Sequence, residues 1–390
     1  MKSYLKYLKG DPVIWVISLI LLSFSLVTVY SFVPILVKME GGSPIQYLYK
    51  HFIYVLIGFF AMYWIHLRDS KYFSQLAKLG FYLAVILLVY TLLFGSKIND
   101  AGRWIRIPFI GLTFQSSDFA KVAIIVYLSR LLIKYQDDLN DWRNGVFHVF
   151  WPPALICVLI VKDNFSTAAL LFMICIIILF IGKMPIKKLL LINTGIILVG
   201  IMAVGIHKAA PALNILPRYQ TWENRIFNKL DDDKDIVSNA QALNARLAIN
   251  NGSVFGQGVG DGKLKEYIPE AYADFYYSSF VEEFGSFSAV LLVLLYLILL
   301  YRIIRVGLNA EKLFETYVCL GIGTLLLTQV SVNMLVCTGV FPVTGQNMPL
   351  LAMGGSALIM ACVSIGIVQS IAYNQQKKSK TKTDNSFDAL

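Results

Sequence analysis

From Pro12 to Val37 the chain carries no charged side chain, and this is the first of about ten such apolar runs. Runs of about 17–25 apolar residues match the hydrocarbon thickness of a bilayer. Within that layer every backbone N–H and C=O must be satisfied inside the segment, which a helix does by itself. The other runs centre near Gly58, Ile86, Ile125, Leu155, Ile176, Ile197, Leu292, Leu326 and Ser364. The expected fold class is therefore an all-α polytopic membrane protein with about ten transmembrane helices. Composition agrees: 57% of residues are hydrophobic and 15% charged, against about 25% charged in soluble domains. The first run is too long for a signal-peptide core of about 7–15 residues and lacks a small-x-small cleavage site, so it is read as a retained span. The run near Leu155 is short and opens on Trp151-Pro152-Pro153. Without it the termini would face opposite sides.

The net charge of +10 does not point to nucleic acid. Its lysines and arginines sit in short clusters between apolar runs, where the positive-inside rule accounts for them. With the N-terminus cytoplasmic, the inner loops carry Lys2, Lys6 and Lys9, then Arg68, Lys71 and Lys78. They also carry Lys134, Arg143, Lys183, Lys187, Lys188, Arg302, Arg305 and Lys312. The short outer loops hold fewer, so both termini are expected to be cytoplasmic. Cys157, Cys175, Cys319, Cys337 and Cys362 all fall inside apolar runs and read as small core residues. His51, His66, His148 and His207 are scattered, with no metal-ligand spacing.

This orientation places residues 207–272 outside, a long loop and hence a candidate for function. Within it, Asp235 can cap a helix whose Ile236, Ala240, Leu243 and Leu247 share one face, ending at Asn250-Asn251-Gly252. Residues 1–373 read as a single transmembrane domain. The basic tail, residues 374–390, reads as disordered, its lysines facing anionic lipid.

Five constellations carry chemistry. Arg103 and Arg106 lie in an outer loop, and Asp118 and Lys121, three apart, share a helix face. That pair is either an internal ion pair or part of an anion cradle. The turn Lys162 to Ala168 offers Asp163 and Asn164 for the turn itself and Ser166 or Thr167 for a helix start. Gly256, Gly258, Gly260 and Gly262 have no βαβ unit around them, so a hinge or a close backbone approach is the reading. Lys263 and Lys265 nearby could meet phosphate or lipid headgroups. Next come Glu270, Asp274, Glu282 and Glu283, around the start of the eighth span. Intramembrane acids are costly unless hydrated, paired or used, and pairing with Lys121 or the loop arginines is the structural reading. Last, Gly339 to Ser356, preceded by Asn333, holds two prolines and several glycines. Broken helix at that depth is tolerated only inside protein or along a wet cavity.

Taken together and in order, these segments resemble the SEDS family of peptidoglycan glycosyltransferases, the FtsW/RodA family, over nearly the whole chain. The family's GARRWI and QPSE-x-x-K read here as Ala101-Gly102-Arg103-Trp104-Ile105 and Gln115 to Lys121. Its PEAHTDF-x-F reads as Pro269 to Tyr277, and its P-x-TG-x-x-x-P and GGS as Pro342, Thr344, Gly345, Pro349 and Gly354-Gly355-Ser356. Ala271 after Pro-Glu leans toward division-type, FtsW-like members over elongation-type ones. Departures are Asn164 and its acidic neighbour Asp163 in QPDLGTA, Tyr272 and Ala273 in place of the His and Thr of HTD, and Ala352 and Met353 in SYGGS.

The resemblance implies an enzyme of the bacterial cytoplasmic membrane that polymerises lipid II at its outer face. The growing glycan on undecaprenyl pyrophosphate is the donor, and the 4-hydroxyl of the next lipid II attacks it. Making a β-1,4 bond from an α-linked pyrophosphate inverts the anomeric centre in one displacement. That needs a base and charge stabilisation rather than a covalent nucleophile. Asp274 is the expected base. Arg103, Lys121 and Arg225 are the expected pyrophosphate ligands, with Asp118 orienting Lys121. Thr344 and Gly345 would shape the lipid cavity, and Glu270, Glu282 and Glu283 would support. A divalent cation, Mg or Mn, would assist, with no organic cofactor. A class B penicillin-binding protein and other divisome or elongasome membrane proteins are the expected partners. Competing readings are a lipid II flippase or transporter and a non-catalytic scaffold for the transpeptidase.

Overall fold

The computed structural model describes residues 8–98, 101–106, 112–209 and 236–387. Among them a helix stands at each of the ten apolar runs: α1 Pro12–Glu40, α2 Pro44–His66, α3 Ser70–Phe94, α4 Ser116–Lys134, α5 Phe147–Val161, α6 Phe165–Ile181 and α7 Ile186–Ala209. After a shorter helix, α8 Ile236–Asn251, come α9 Tyr276–Leu308, α10 Leu313–Cys337 and α11 Gly355–Phe387. Eight helical spans among the described residues are long and apolar enough to cross a membrane. The apolar helix α6, 17 residues long, is shorter. Helix α4 carries Asp118, Lys121, Arg130 and Lys134 and is nonetheless mostly buried. The chain is thus a mostly helical, multi-pass membrane protein.

One continuous core runs from Ile14 to Ala372, drawing on all ten of these helices. Helix α11 lies against α2 along a seam of small residues. Gly58 faces Leu358 and Cys362, and Gly366 lies on the backbone of Met62. Small side chains are what let helix axes approach where lipid offers no hydrophobic drive to associate. The short run near Leu155 reaches spanning length because a π-turn, Trp142–Val146, precedes α5. Pro152 and Pro153 then sit inside the helix itself.

The fold departs from the sequence reading in three places. It is not purely α: a three-stranded antiparallel sheet joins α3 to α4, with β1 Ser96–Ile98, β2 Ala101–Arg106 and β3 Thr113–Gln115. Each strand is too short for its alternation to outweigh the long helical runs on either side. The tail does not begin at residue 374, because α11 continues to Phe387. Gln and Lys are adequate helix formers, and neither Gly nor Pro interrupts them. Helix α8 starts at Ile236 as expected, but Leu243 and Leu247 are exposed while Ala245 and Ala248 are fully buried. The packed face is the small one, since Gly252, just past the helix, lies on the backbone of Val281. Asp235, the expected cap, lies outside the described residues.

Candidate active site

The head of α9 organises this end of the bundle. Tyr276 and Phe275 are buried there, and the Tyr276 hydroxyl donates to Thr28 Oγ1 of α1 at 2.8 Å. Immediately before the helix, the amides of Ala273 and Asp274 both donate to the carbonyl of Glu270, at 2.9 and 3.0 Å. Glu270 adopts a left-handed φ of 57°. This tight turn presents Asp274, half-buried, at the point where the loop becomes helix.

Nine residues into α9 the backbone kinks at Gly285, φ 79° and ψ 167°. The kink releases the carbonyls of Glu282 and Glu283, which accept from Gln257 and Gly258 amides at 2.9 and 3.1 Å. In return, Ser286 and Phe287 amides donate to Ser253 and Val254 at 2.9 and 3.1 Å. The glycine-rich loop is therefore laid directly on the helix backbone. A side chain at Gly256 or Gly285 would collide with the opposing main chain. Close approach is the reason for those glycines.

That docking also consumes the two acids beyond Asp274. Glu282, fully buried, accepts from Asn251 Nδ2 at 3.1 Å and from the amides of Leu264 and Lys265 at 3.0 and 3.3 Å. Glu283 is ion-paired with buried Lys265, and both meet the Ser31 hydroxyl of α1. Glu283 also takes the Gly260 amide at 3.3 Å. The acids were expected to pair with Lys121 or the loop arginines. Their partners are instead Lys265 and loop amides, because the kink brings that loop closest. Lys265 is accordingly turned inward and does not face phosphate or headgroups.

Asp274 has different company. Helix geometry fails from Gly339 to Gly354, as the prolines and glycines require, and this broken segment crosses in front of the turn. Gly345, φ 70°, places its α carbon so that a Cβ would lie 3.5 Å from Asp274 Oδ2. Next to it the Thr344 hydroxyl is buried and finds no partner among the described residues. Buried polar atoms are nearly always satisfied, so this unpaired hydroxyl, on the residue before Gly345, marks a place for a ligand or water.

The same segment reaches the Asp118–Lys121 pair. The Met353 amide donates to Tyr272 O at 2.9 Å, and three residues on Ser356 Oγ donates to Asp118 Oδ2 at 2.7 Å. Asp118 holds Lys121 at 2.8 Å, both buried. Of the two readings left open by the spacing, the ion pair is present. It leaves the other N–H donors of the ammonium unassigned, and so leaves the cradle reading open. Strand β2 brings in Arg103: its neighbour Trp104 pairs with Gln115, three residues before Asp118. The side chain of Arg103, and Arg225 altogether, lie outside the described residues.

At the α6 end, Asn164 caps the helix by accepting the Thr167 amide at 3.1 Å. The cap was expected from Ser166 or Thr167. With Asn164 in that role, the Thr167 hydroxyl instead accepts from Gln346 Nε2 at 2.9 Å. Gln346 and Ser356 lie in quoted motifs but carried no sign of their partners. Ser31 gave no sequence signal at all. Among the described residues no group of three His, Cys, Asp or Glu side chains converges on one point. The described residues thus do not form a protein cage for a divalent ion.

Fold and site together define a multi-pass membrane protein with one half-buried acid where an extramembrane loop meets a broken-helix segment. The chain belongs to the FtsW/RodA/SpoVE family of cell cycle proteins, whose model matches residues 11–377. It is 32% identical over 368 residues to a probable peptidoglycan glycosyltransferase FtsW of Geobacter sp. (strain M18), covering 93% of this chain and 96% of that one. It is 30% identical to the protein of the same description from Coxiella burnetii (strain RSA 493 / Nine Mile phase I), covering 94% and 97%. Stage V sporulation protein E of Bacillus subtilis (strain 168) is 28% identical over 93% of this chain and 96% of that protein. The fold matches a chain from a structure described as "Structural coordination of polymerization and crosslinking by a peptidoglycan synthase complex" with TM-score 0.71 and 21% identity, over 94% and 98%. It also matches the rod shape determining protein RodA of Thermus thermophilus, with TM-score 0.62 and 20% identity, over 94% and 97%.

Proposed function

We propose that this chain is the peptidoglycan glycosyltransferase that its family and its FtsW-named relatives indicate, and that it polymerises lipid II with Asp274 as general base. The 4-hydroxyl oxygen of the acceptor attacks C1 of the donor glycan, its proton passes to the Asp274 carboxylate, and the C1–O bond to undecaprenyl pyrophosphate breaks. One in-line displacement inverts the anomeric centre. Basic side chains answer the charge on the departing pyrophosphate. Arg103, Lys121 and Arg225 are the candidates, with Asp118 and Ser356 fixing Lys121 by the contacts described above. On our reading of ten spans with both termini cytoplasmic, supported by the distribution of lysines and arginines, this site would lie at the outer face of the bacterial cytoplasmic membrane.

A divalent cation fits only if the substrate's pyrophosphate supplies most of its oxygen ligands, as Mg²⁺ sites often allow. No step here runs through it. The FtsW names favour a division role, and a class B penicillin-binding protein is the partner that the synthase-complex fold suggests.

The observation that carries the reading is Asp274 itself. It is half-buried and faces Gly345, the residue after Thr344, whose buried hydroxyl has no partner among the described residues. The deciding assay gives purified protein lipid II in liposomes, with and without a class B penicillin-binding protein. Glycan chains are the expected product. Lipid transfer between leaflets without chains would make the protein a flippase, and neither product would make it a scaffold.

A further inference from the structure

Asn333 lies on α10, 1% exposed, and its carboxamide is engaged at both ends. Nδ2 reaches three carbonyl oxygens: Ala273 at 3.3 Å, Asp274 at 3.0 Å and Gln346 at 2.9 Å. Oδ1 accepts from the Tyr277 amide at 3.3 Å. With two N–H groups for three acceptors, one hydrogen is shared. These four partners are main chain; the Cys337 thiol, one turn on along α10, also donates to Oδ1 at 3.9 Å. The four backbone contacts therefore say nothing about side-chain chemistry and everything about where two backbones stand.

Three of the four partners flank or include Asp274. The fourth is the residue after Gly345, whose α carbon faces the Asp274 carboxylate. The carbonyls of Ala273 and Asp274 belong to a turn that has not yet become helix, so they need an outside donor, and Asn333 supplies it. Gln346 in turn is pinned through its own side chain to Thr167 on the capped end of α6. A single buried amide thus joins the turn carrying the acid, the broken segment opposite it and the helix that anchors that segment.

We infer that Asn333 is a positioning residue: it holds the Asp274 turn and the Gly345–Gln346 backbone as one unit, and the rate of glycan polymerisation depends on its carboxamide. This rests on the reading of Asp274 as base. Displacing a catalytic group by about 1 Å costs on the order of 10²-fold in rate. Asn333→Asp preserves shape and the acceptor for Tyr277 while turning the three donor contacts into repulsions. The control is Val336→Ala, one turn on along α10 and equally buried, which opens a cavity without touching the clamp.

The test measures kcat and apparent KM for lipid II, with thermal unfolding midpoints in detergent, for N333D, V336A and D274N as full-length proteins with the transpeptidase partner. The expected result is a kcat for N333D lower by on the order of 10²-fold, with KM within about threefold of wild type. V336A, with a comparable fall in midpoint, should keep its kcat. If N333D fails to fold, Asn333→Ser is held to the same criterion. Wild-type kcat in the folded Asn333 variant, or an equal loss in V336A, overturns the inference. D274N separates the two claims: if it is inactive while the Asn333 variant is not, only the positioning role falls. If D274N itself polymerises, the base assignment falls with it.

Discussion

Two acidic sites stand eight residues apart at the head of one helix and have opposite surroundings. Glu282 and Glu283 are sealed: loop amides, Asn251, Ser31 and Lys265 occupy their oxygens. Asp274 is half-buried, its carbonyl accepts from Asn333, and it faces a segment whose Thr344 hydroxyl has no partner among the described residues. The first arrangement spends its charges on docking a loop. The second leaves its carboxylate half-buried in front of the Gly345 backbone. The sequence sets Asp274 apart as the expected base and gives Glu270, Glu282 and Glu283 supporting roles, but it does not show what holds each acid. Full burial against loop amides and a lysine, set against a half-buried position facing a broken-helix segment, is what separates the two sites.

The comparison can be broken at either end. The largest stability effect should come from the sealed site: Glu283→Gln strands Lys265 in the interior and should cost about 3–5 kcal/mol in unfolding free energy. Replacing both partners, as Glu283→Leu with Lys265→Met, should recover most of that loss. A single variant as stable as wild type would show that the pair is not sealed. Next, Gly345→Ala puts a side chain at a left-handed φ, with its Cβ in contact with the Asp274 carboxylate at 3.5 Å. It should cost about 1 kcal/mol in stability but lower polymerisation by about tenfold or more. A stability loss with unchanged turnover would detach Gly345 from the site. Removing the α6 cap by Asn164→Ala should cost about 0.5–2 kcal/mol, read from the thermal midpoint. The smallest effect belongs to Lys38→Ala, whose pair with Glu266 at 3.7 Å is largely exposed. It should change stability by at most about 1 kcal/mol, and by less in high salt.

Much of this architecture is legible in the sequence, for physical reasons. Hydrocarbon thickness imposes run length, so the ten helices stand where the apolar runs are centred. Pro342, Pro349 and their glycines announce broken helix between α10 and α11. The Asp118–Lys121 spacing announces a shared face. What stays hidden depends on long-range meeting. Nothing local marks Lys265 as the partner of Glu283, since the kink at Gly285 and the folded-back loop create that contact. Which face of α8 packs was hidden for a related reason: the period in Leu243 and Leu247 is helical, but close approach at Gly252 selects the alanine side. Asn333 was visible as a polar residue ahead of a broken segment. Its four backbone partners, spread over residues 273 to 346, were not.

The most direct test of the central claim sets the two acidic sites side by side in one assay. Purified Asp274→Asn and Glu282→Gln, each with the proposed class B penicillin-binding protein, are given lipid II, and glycan product, lipid II binding and thermal midpoint are measured. Asp274→Asn should lose polymerisation by 10²-fold or more, on the order expected for removing a general base, with binding and midpoint near wild type. Glu282→Gln should show the reverse, a lowered midpoint with turnover retained in the folded fraction. Glycan synthesis at the wild-type rate by Asp274→Asn would contradict the account.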